Sequence, residues 1–240
     1  MMGSILTGCG GNKAGDACFD LSFEDDDFTV CDARPGRHQV RLMDKDSAGV
    51  PLRDFDRLQD ALGEQKASVA FAMNAGMFND AGLPIGLYVE NGVQGHKLVT
   101  TDGPGNFHMK PNGVFYGDAS GWHVATSDAY AAAAPRGLNF ATQSGPMLLI
   151  DGKLHPRISV DGPSVNIRNA VGIGADGSAR FVISDSPVSF GKLARMMRDR
   201  LGVRNALFLD GTVSRLWDPA SGREDDGAPI GPIVVVSRTR

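Results

Sequence analysis

Residues 204–217, RNALFLDGTVSRLW, decide how this chain is read. Ala206-Leu207-Phe208-Leu209 is an unbroken apolar run without helical spacing, which predicts a strand buried on both faces. The run stops at Asp210-Gly211 and then presents Thr212, Ser214 and Arg215. Asp-Gly is a common hairpin turn, in which the aspartate serves only its own backbone. The alternative is a rigid strand that carries a carboxylate into a site, with a glycine keeping the approach open.

Working outward, the preceding segment spaces Phe190, Leu193, Ala194, Met197 and Leu201 at helical intervals, and Gly202 stands where such a helix stops. Upstream, 168–185 reads as a hairpin turning at Asp176-Gly177, 146–156 as a strand, an Asp-Gly turn and a short return strand, and 112–126 as a hairpin around 118–121. Further strands are predicted over 38–44, 67–74, 86–92 and 232–237, and Phe55, Leu58, Ala61 and Leu62 mark an amphipathic helix over 53–62. With 31 glycines and 13 prolines supplying turns, the expected fold is α/β of the α+β type. It is a mixed, mostly antiparallel sheet system with two main helices in a single domain, 18–240. Lys192, Arg195 and Arg198 form a basic helix face read as solvated.

The net charge of −4 excludes a phosphate-neutralising nucleic-acid surface, although a local cationic pocket remains open. All three cysteines, Cys9, Cys18 and Cys31, lie in the first 31 residues. Cys18 and Cys31 bracket a hairpin pattern turning at Asp25-Asp26-Asp27, which would bring them together as a disulfide of an oxidising compartment, unless both stay buried thiols. Leu6-Thr7-Gly8-Cys9 resembles a bacterial lipobox whose cysteine takes a lipid anchor, followed by a small, polar tether. The segment 1–17 is therefore read as a tether or truncated lipoprotein signal. The protein is expected to be exported, either periplasmic or membrane-anchored.

Several strand ends pass abruptly from apolar to small, hydrogen-bonding residues: Asn74-Ala75-Gly76-Met77-Phe78, Gly105-Asn106-Phe107-His108, Gln143-Ser144-Gly145-Pro146, Arg168-Asn169-Ala170, Ser184-Asp185-Ser186 and Asp210-Gly211-Thr212. Together they read as the rim of one cleft, with glycines where backbone N–H groups can approach a ligand. In their order and spacing, NAGMF (74–78), SGPMLLIDGK (144–153), RNAVGIG (168–174), Asp185, the helix from Phe190 and FLDGTVS (208–214) resemble the phosphodiester glycosidase family, especially its short bacterial members. That family shows N-G-G-F-F, S-G-P before D-G-K, R-x-A-x-G and N-L-D-G-G-G-S. Ala75 and Thr212-Val213 depart from its glycines, so the substrate's shape is open.

The resemblance implies hydrolysis of a sugar-1-phosphodiester, with carboxylates near an oxocarbenium-like transition state and donors for the departing phosphate. The candidate carboxylates are Asp210 and Asp185, the latter alternatively capping the following helix. Arg168 suits the phosphate. Asn74, Asn106, Ser144 and Ser214 could bond sugar or phosphate oxygens, Gly76, Gly145 and Gly211 could offer N–H groups, and His108 sits on the rim. The expected partner is a small or polymeric sugar-phosphate, and no cofactor is implied. Two rivals stand: a non-catalytic phosphoglycan binder, and a phosphodiesterase using a divalent cation held by Asp185, Asp210, Asn74 and His108.

Overall fold

The computed structural model describes residues 16–211 and 213–239, so the lipobox reading at Cys9 lies outside the described residues. Three antiparallel sheets surround a common core. The largest is seven-stranded, in the order Cys18–Phe23, Asp26–Ala33, Ala179–Ser184, Asn169–Ile173, Ala206–Phe208, Met147–Ile150, Lys153–Leu154. A five-stranded sheet runs Arg223–Glu224, Leu216–Asp218, Val69–Asn74, Ile233–Arg238, His38–Met43, and a second runs Val93–His96, Tyr88–Glu90, Phe140–Ser144, Gly113–Asp118, Gly121–Thr126. A two-stranded ribbon pairs Val165–Asn166 with Val188–Ser189.

The apolar run at 206–209 is buried throughout because its faces belong to different cores. Leu207 and Leu209 point into the central core, where Phe71, Phe115, Phe140 and Phe181 of all three sheets meet, whereas Ala206 and Phe208 point outward under a helix. That helix, α3 (Phe190–Asp199), buries Leu193, Ala194, Met196 and Met197 against the sheet. The Ser189 hydroxyl caps it by accepting the Lys192 N–H at 3.1 Å, so Asp185 is not the cap. α1 (Phe55–Leu62), capped by Asp54, buries Phe55, Leu58 and Leu62 on one five-stranded sheet. A short third helix, α2 (Ser127–Ala133), lies beside the other, adding to the two that sequence periodicity predicts. Only Ser127 and Tyr130 of α2 are buried, so it carries no apolar stripe to reveal it.

The first hairpin turns at Glu24-Asp25, both with positive φ (47° and 64°), rather than at 25–27. That register sets Cys18 directly opposite Cys31, and they form a disulfide. The acidic turn also overturns the reading of a solvated basic face. Arg195 binds Glu24 at 2.6 Å and Asp161 at 3.1 Å, and Lys192 pairs with Asp26, while Arg198 turns to its neighbour Asp199. Helix α3 is thereby clamped across the hairpin.

Candidate active site

The antiparallel registers bring the chemistry to one end of the sheets. In the seven-stranded sheet Asn169 lies opposite Ile183 and Ala170 opposite Phe208. The start of one strand (Arg168, Asn169) therefore lies between the ends of two others (Ser184 and Asp185; Leu209 and Asp210). In the neighbouring sheet Leu216 pairs with Met73 and Ile233 with Asn74, which places Asn74 and Arg215 at the same end.

Buried side-chain amides join these ends. Asn74 donates from Nδ2 to the Asp210 carbonyl at 3.1 Å, and its Oδ1 accepts the Arg215 N–H at 2.8 Å and Asn169 Nδ2 at 2.9 Å. Asn169 Oδ1 in turn accepts the Asp210 N–H at 3.0 Å. The Ser144 hydroxyl donates to the Leu209 carbonyl, and Ser214 Oγ donates to the carbonyls of Asp210 (3.0 Å) and Ile167 (3.2 Å). The backbone of Asp210 is thus gripped on both sides, with the residue 8% exposed at the end of a rigid strand. Asp210 is not a simple hairpin turn, since the strand before it pairs with 147–149 and 170–172 while the strand after it joins another sheet.

Arg168 lies beside it. The side chain is 2% exposed, its guanidinium stacks 3.6 Å above the Phe190 ring, and Phe208 flanks it at 5.6 Å. Its Nε donates to the Val188 carbonyl at 2.8 Å, and Nη2 donates to the Ser164 carbonyl and hydroxyl at 3.0 and 3.2 Å. Nη1 donates to nothing among the described residues, and Arg168 has no carboxylate partner among them. Burial pushes its pKa down to about 10, so the group is still a cation at neutral pH. A Cβ at Gly211 would fall 2.6 Å from the Phe208 ring and 3.4 Å from the Arg168 stem, which is why only glycine fits there.

The other sequence candidates divide. Asp185 stands next to Ser184, whose hydroxyl accepts the Arg168 N–H at 3.0 Å. The Asp185 carboxylate is engaged by Arg223 at 2.7 Å and by the Thr29 hydroxyl at 3.4 Å. Burial would lower the pKa of Arg223, but the hydrogen bonds it donates to Asp225 and Asp185 raise it overall. Asn74 and Ser144 spend their side chains on the protein framework, so the structure makes them positioning residues rather than exposed donors. Gly76 likewise gives its N–H to Thr142 Oγ1 at 3.2 Å, and a Cβ there would lie 2.5 Å from the Gln143 carbonyl.

Gly145 packs beneath the Asn106 and Phe107 carbonyls, which brings the 100–111 loop over Ser144 with Asn106 exposed. Gln143 fastens that loop's root through Val99, accepting its N–H at 3.0 Å and donating to its carbonyl at 2.7 Å. His108 bonds Thr101 within the loop and stacks edge-on to Phe107, which accounts for it as a packing group. Asn169 and Arg223 are the functional-end residues that sequence reading left without a role. Adjacency to Arg168 was a usable signal for the first, whereas nothing local marks the second. Among the described residues no group of three or more His, Cys, Asp or Glu side chains is arranged to hold a metal ion.

The chain resembles known proteins in both sequence and fold. The chain is 40% identical over 205 residues to the uncharacterized protein YigE of Escherichia coli (strain K12), covering 84% of this chain and 79% of that one. In fold it is similar to a hypothetical protein from Synechocystis (TM-score 0.56, 14% identity, 92% of this chain), of whose length it spans 61%. It is also similar to a putative exported protein of Burkholderia pseudomallei K96243 (TM-score 0.56, 12% identity, 88% of this chain and 74% of that one). The sequence pattern of the phosphodiester glycosidases matches residues 65–236, a span that holds Asn74, Ser144, Arg168, Asp185 and Asp210, and the chain belongs to the phosphodiester glycosidase family.

Proposed function

We propose that the protein is an exported glycosidase that hydrolyses the glycosyl-phosphate bond of a phosphoglycan or sugar-phosphate conjugate. The observation that carries this reading is Arg168, a buried cation with no carboxylate partner among the described residues, held one strand away from Asp210. A buried charge without a counter-charge is costly, and an anionic ligand relieves that cost. Arg168 meets the phosphate through Nη1, because Nε and Nη2 are already spent on Val188 and Ser164.

The chemistry follows from the charges. Cleavage at the anomeric carbon builds positive charge on the sugar and returns the bonding pair to a phosphate oxygen. A carboxylate at Asp210 stabilises the first, and the Arg168 cation stabilises the second. A phosphate is a good leaving group already, so the site needs little proton donation. Asp210 is assigned the position at the anomeric carbon, while Asp185, tied to Arg223, anchors the 223–225 segment at the rim and is the lesser candidate. Family membership and the Cys18–Cys31 disulfide support the reading, the latter favouring an oxidising compartment, periplasmic or membrane-anchored.

Hydrolysis in ¹⁸O-labelled water tests it. Glycosidic cleavage places the label on the released sugar. Label on the phosphate would show P–O cleavage and replace this reading with a phosphodiesterase, and binding without turnover would leave a phosphoglycan binder.

A further inference from the structure

Arg215 is the second arginine at this end of the sheets, and it is 4% exposed. Its main chain is fixed by the amide that fixes Asp210: Asn74 Oδ1 accepts the Arg215 N–H, and Asn74 Nδ2 reaches the Asp210 carbonyl. Its side chain is fixed by nothing polar among the described residues. Nη2 is fully buried with no hydrogen-bond partner, and the guanidinium makes no hydrogen bond or ion pair with any described residue. The chain folds closely over it at Gly227, where a Cβ would stand 3.2 Å from Nη2 and 3.7 Å from Nε, and where φ is +139°. That covering segment is anchored on either side, by Asp225 to Leu216 and by the Ile230 N–H to the Arg53 carbonyl. Asp226, the acid next to Gly227, accepts the Gly227 N–H at 2.6 Å and forms no ion pair with Arg215.

The neighbouring cations show how unusual this is. Arg223 has Asp185 and Asp225, Arg195 has Glu24 and Asp161, and Lys192 has Asp26. Only Arg168 and Arg215 among these are buried without an acid. They are also linked: Ser214 Oγ donates to the Ile167 carbonyl, and Arg215 and Arg168 are the next residues along the two segments. A buried guanidinium facing no counter-charge destabilises the free protein, and an oxyanion with lone pairs for its donors reverses that.

We propose that Arg215 holds a second oxyanion of the ligand, so that the substrate is polyanionic, carrying a phosphate or carboxylate on its aglycone beyond the scissile phosphate. This rests on the glycosidase reading, but its test separates the two. In the first arm, thermal unfolding of the whole protein is followed with inorganic phosphate as probe. In phosphate-free buffer R215M should melt at or above the wild type, because it removes an unpaired buried charge. Added phosphate should then raise the wild-type midpoint more than that of R215M, and should still raise that of R168M. An R215M protein that melts lower and responds equally to phosphate overturns the proposal. If R215M does not fold, R215K is read the same way, and an unchanged phosphate response overturns it.

In the second arm, two sugar-1-phosphodiesters are compared whose aglycones differ only by a terminal phosphate or carboxylate. The extra anion should lower KM about tenfold for the wild type and not for R215M, with the wild-type kcat alike for the two substrates. Equal KM values for the two substrates would overturn the second-anion assignment and leave the glycosidase reading intact. Turnover of neither would sink the glycosidase reading, and the phosphate arm would still decide Arg215.

Discussion

Replacing Asn74 by alanine probes the joint on which the site is built. The side chain makes three buried hydrogen bonds, to the Asp210 carbonyl, the Arg215 N–H and Asn169 Nδ2. Their losses are unequal. The Asp210 carbonyl keeps Ser214 Oγ, and Asn169 Nδ2 keeps the Asn74 carbonyl, so each forfeits a bond worth roughly 0.5–1.5 kcal/mol. The Arg215 N–H loses its side-chain acceptor in a buried place, which costs about 1–3 kcal/mol. The total is about 2–6 kcal/mol, a large share of the roughly 5–15 kcal/mol that holds such a domain together. At roughly 2–4 °C per kcal/mol for a chain of this size, the melting midpoint should fall by about 4–24 °C. Because Asp210 is held through its backbone, turnover at a temperature where the variant is folded should fall as well. Calorimetry and phosphodiester hydrolysis on the same preparation measure both effects. A variant within 1 °C of wild type and fully active would refute the claim that this amide positions the 210–215 segment.

Three further outcomes follow from the same geometry. Breaking the Cys18–Cys31 bridge as a double serine variant should cost about 3 kcal/mol, the value for a short closed loop, and thiol counting under denaturing conditions should find both cysteines oxidised in the wild type. Arg168→Lys should lower kcat/KM for a glycosyl phosphodiester about 10²-fold while leaving free-sugar affinity nearly unchanged, because one ammonium cannot serve Val188, Ser164 and a phosphate together; equal losses for both ligands would count against it. The Arg195 hydrogen bond holds Glu24 below its usual pKa, and the Lys192 hydrogen bond does the same for Asp26. Folded values below the unfolded ones mean stability that is present above about pH 4 and lost as pH falls through the folded values, and a Lys192→Ala variant should show a shallower acid dependence in urea titrations at several pH values.

Much of this was legible because the sequence spends its residues in short, well-punctuated runs. The buried run at 206–209, whose strand is Ala206–Phe208, is legible since both faces are buried and no polar residue interrupts it, and the hairpins at 113–126 and 169–184 announce themselves through alternation and turn residues. What escaped was decided by contacts between distant segments. The α3 cations look solvated until the first hairpin, some 170 residues earlier, places Glu24 and Asp26 against them. Asn74 and Ser144 have the chemistry of ligand donors, but their partners, the carbonyls of Asp210 and Leu209, lie 136 and 65 residues away and take those donors first. Arg223 meets Asp185 only through the meeting of two sheets. Arg215 stands in the sequence only as one of the polar residues after Asp210-Gly211, and its burial follows from a covering segment that comes after it.

The most direct measurement is turnover of a sugar-1-phosphodiester by Asp210→Asn beside its melting curve. Asparagine keeps the shape, and the backbone grip from Asn74, Asn169 and Ser214 remains, so the midpoint should move by no more than about 2 °C, which is about 0.5–1 kcal/mol for a chain of this size. Hydrolysis should fall by about 10²-fold or more, as expected on losing a group that acts at the reacting carbon. A folded Asp210→Asn protein with wild-type turnover would contradict the account, because the buried strand would then end in an aspartate that does no chemistry.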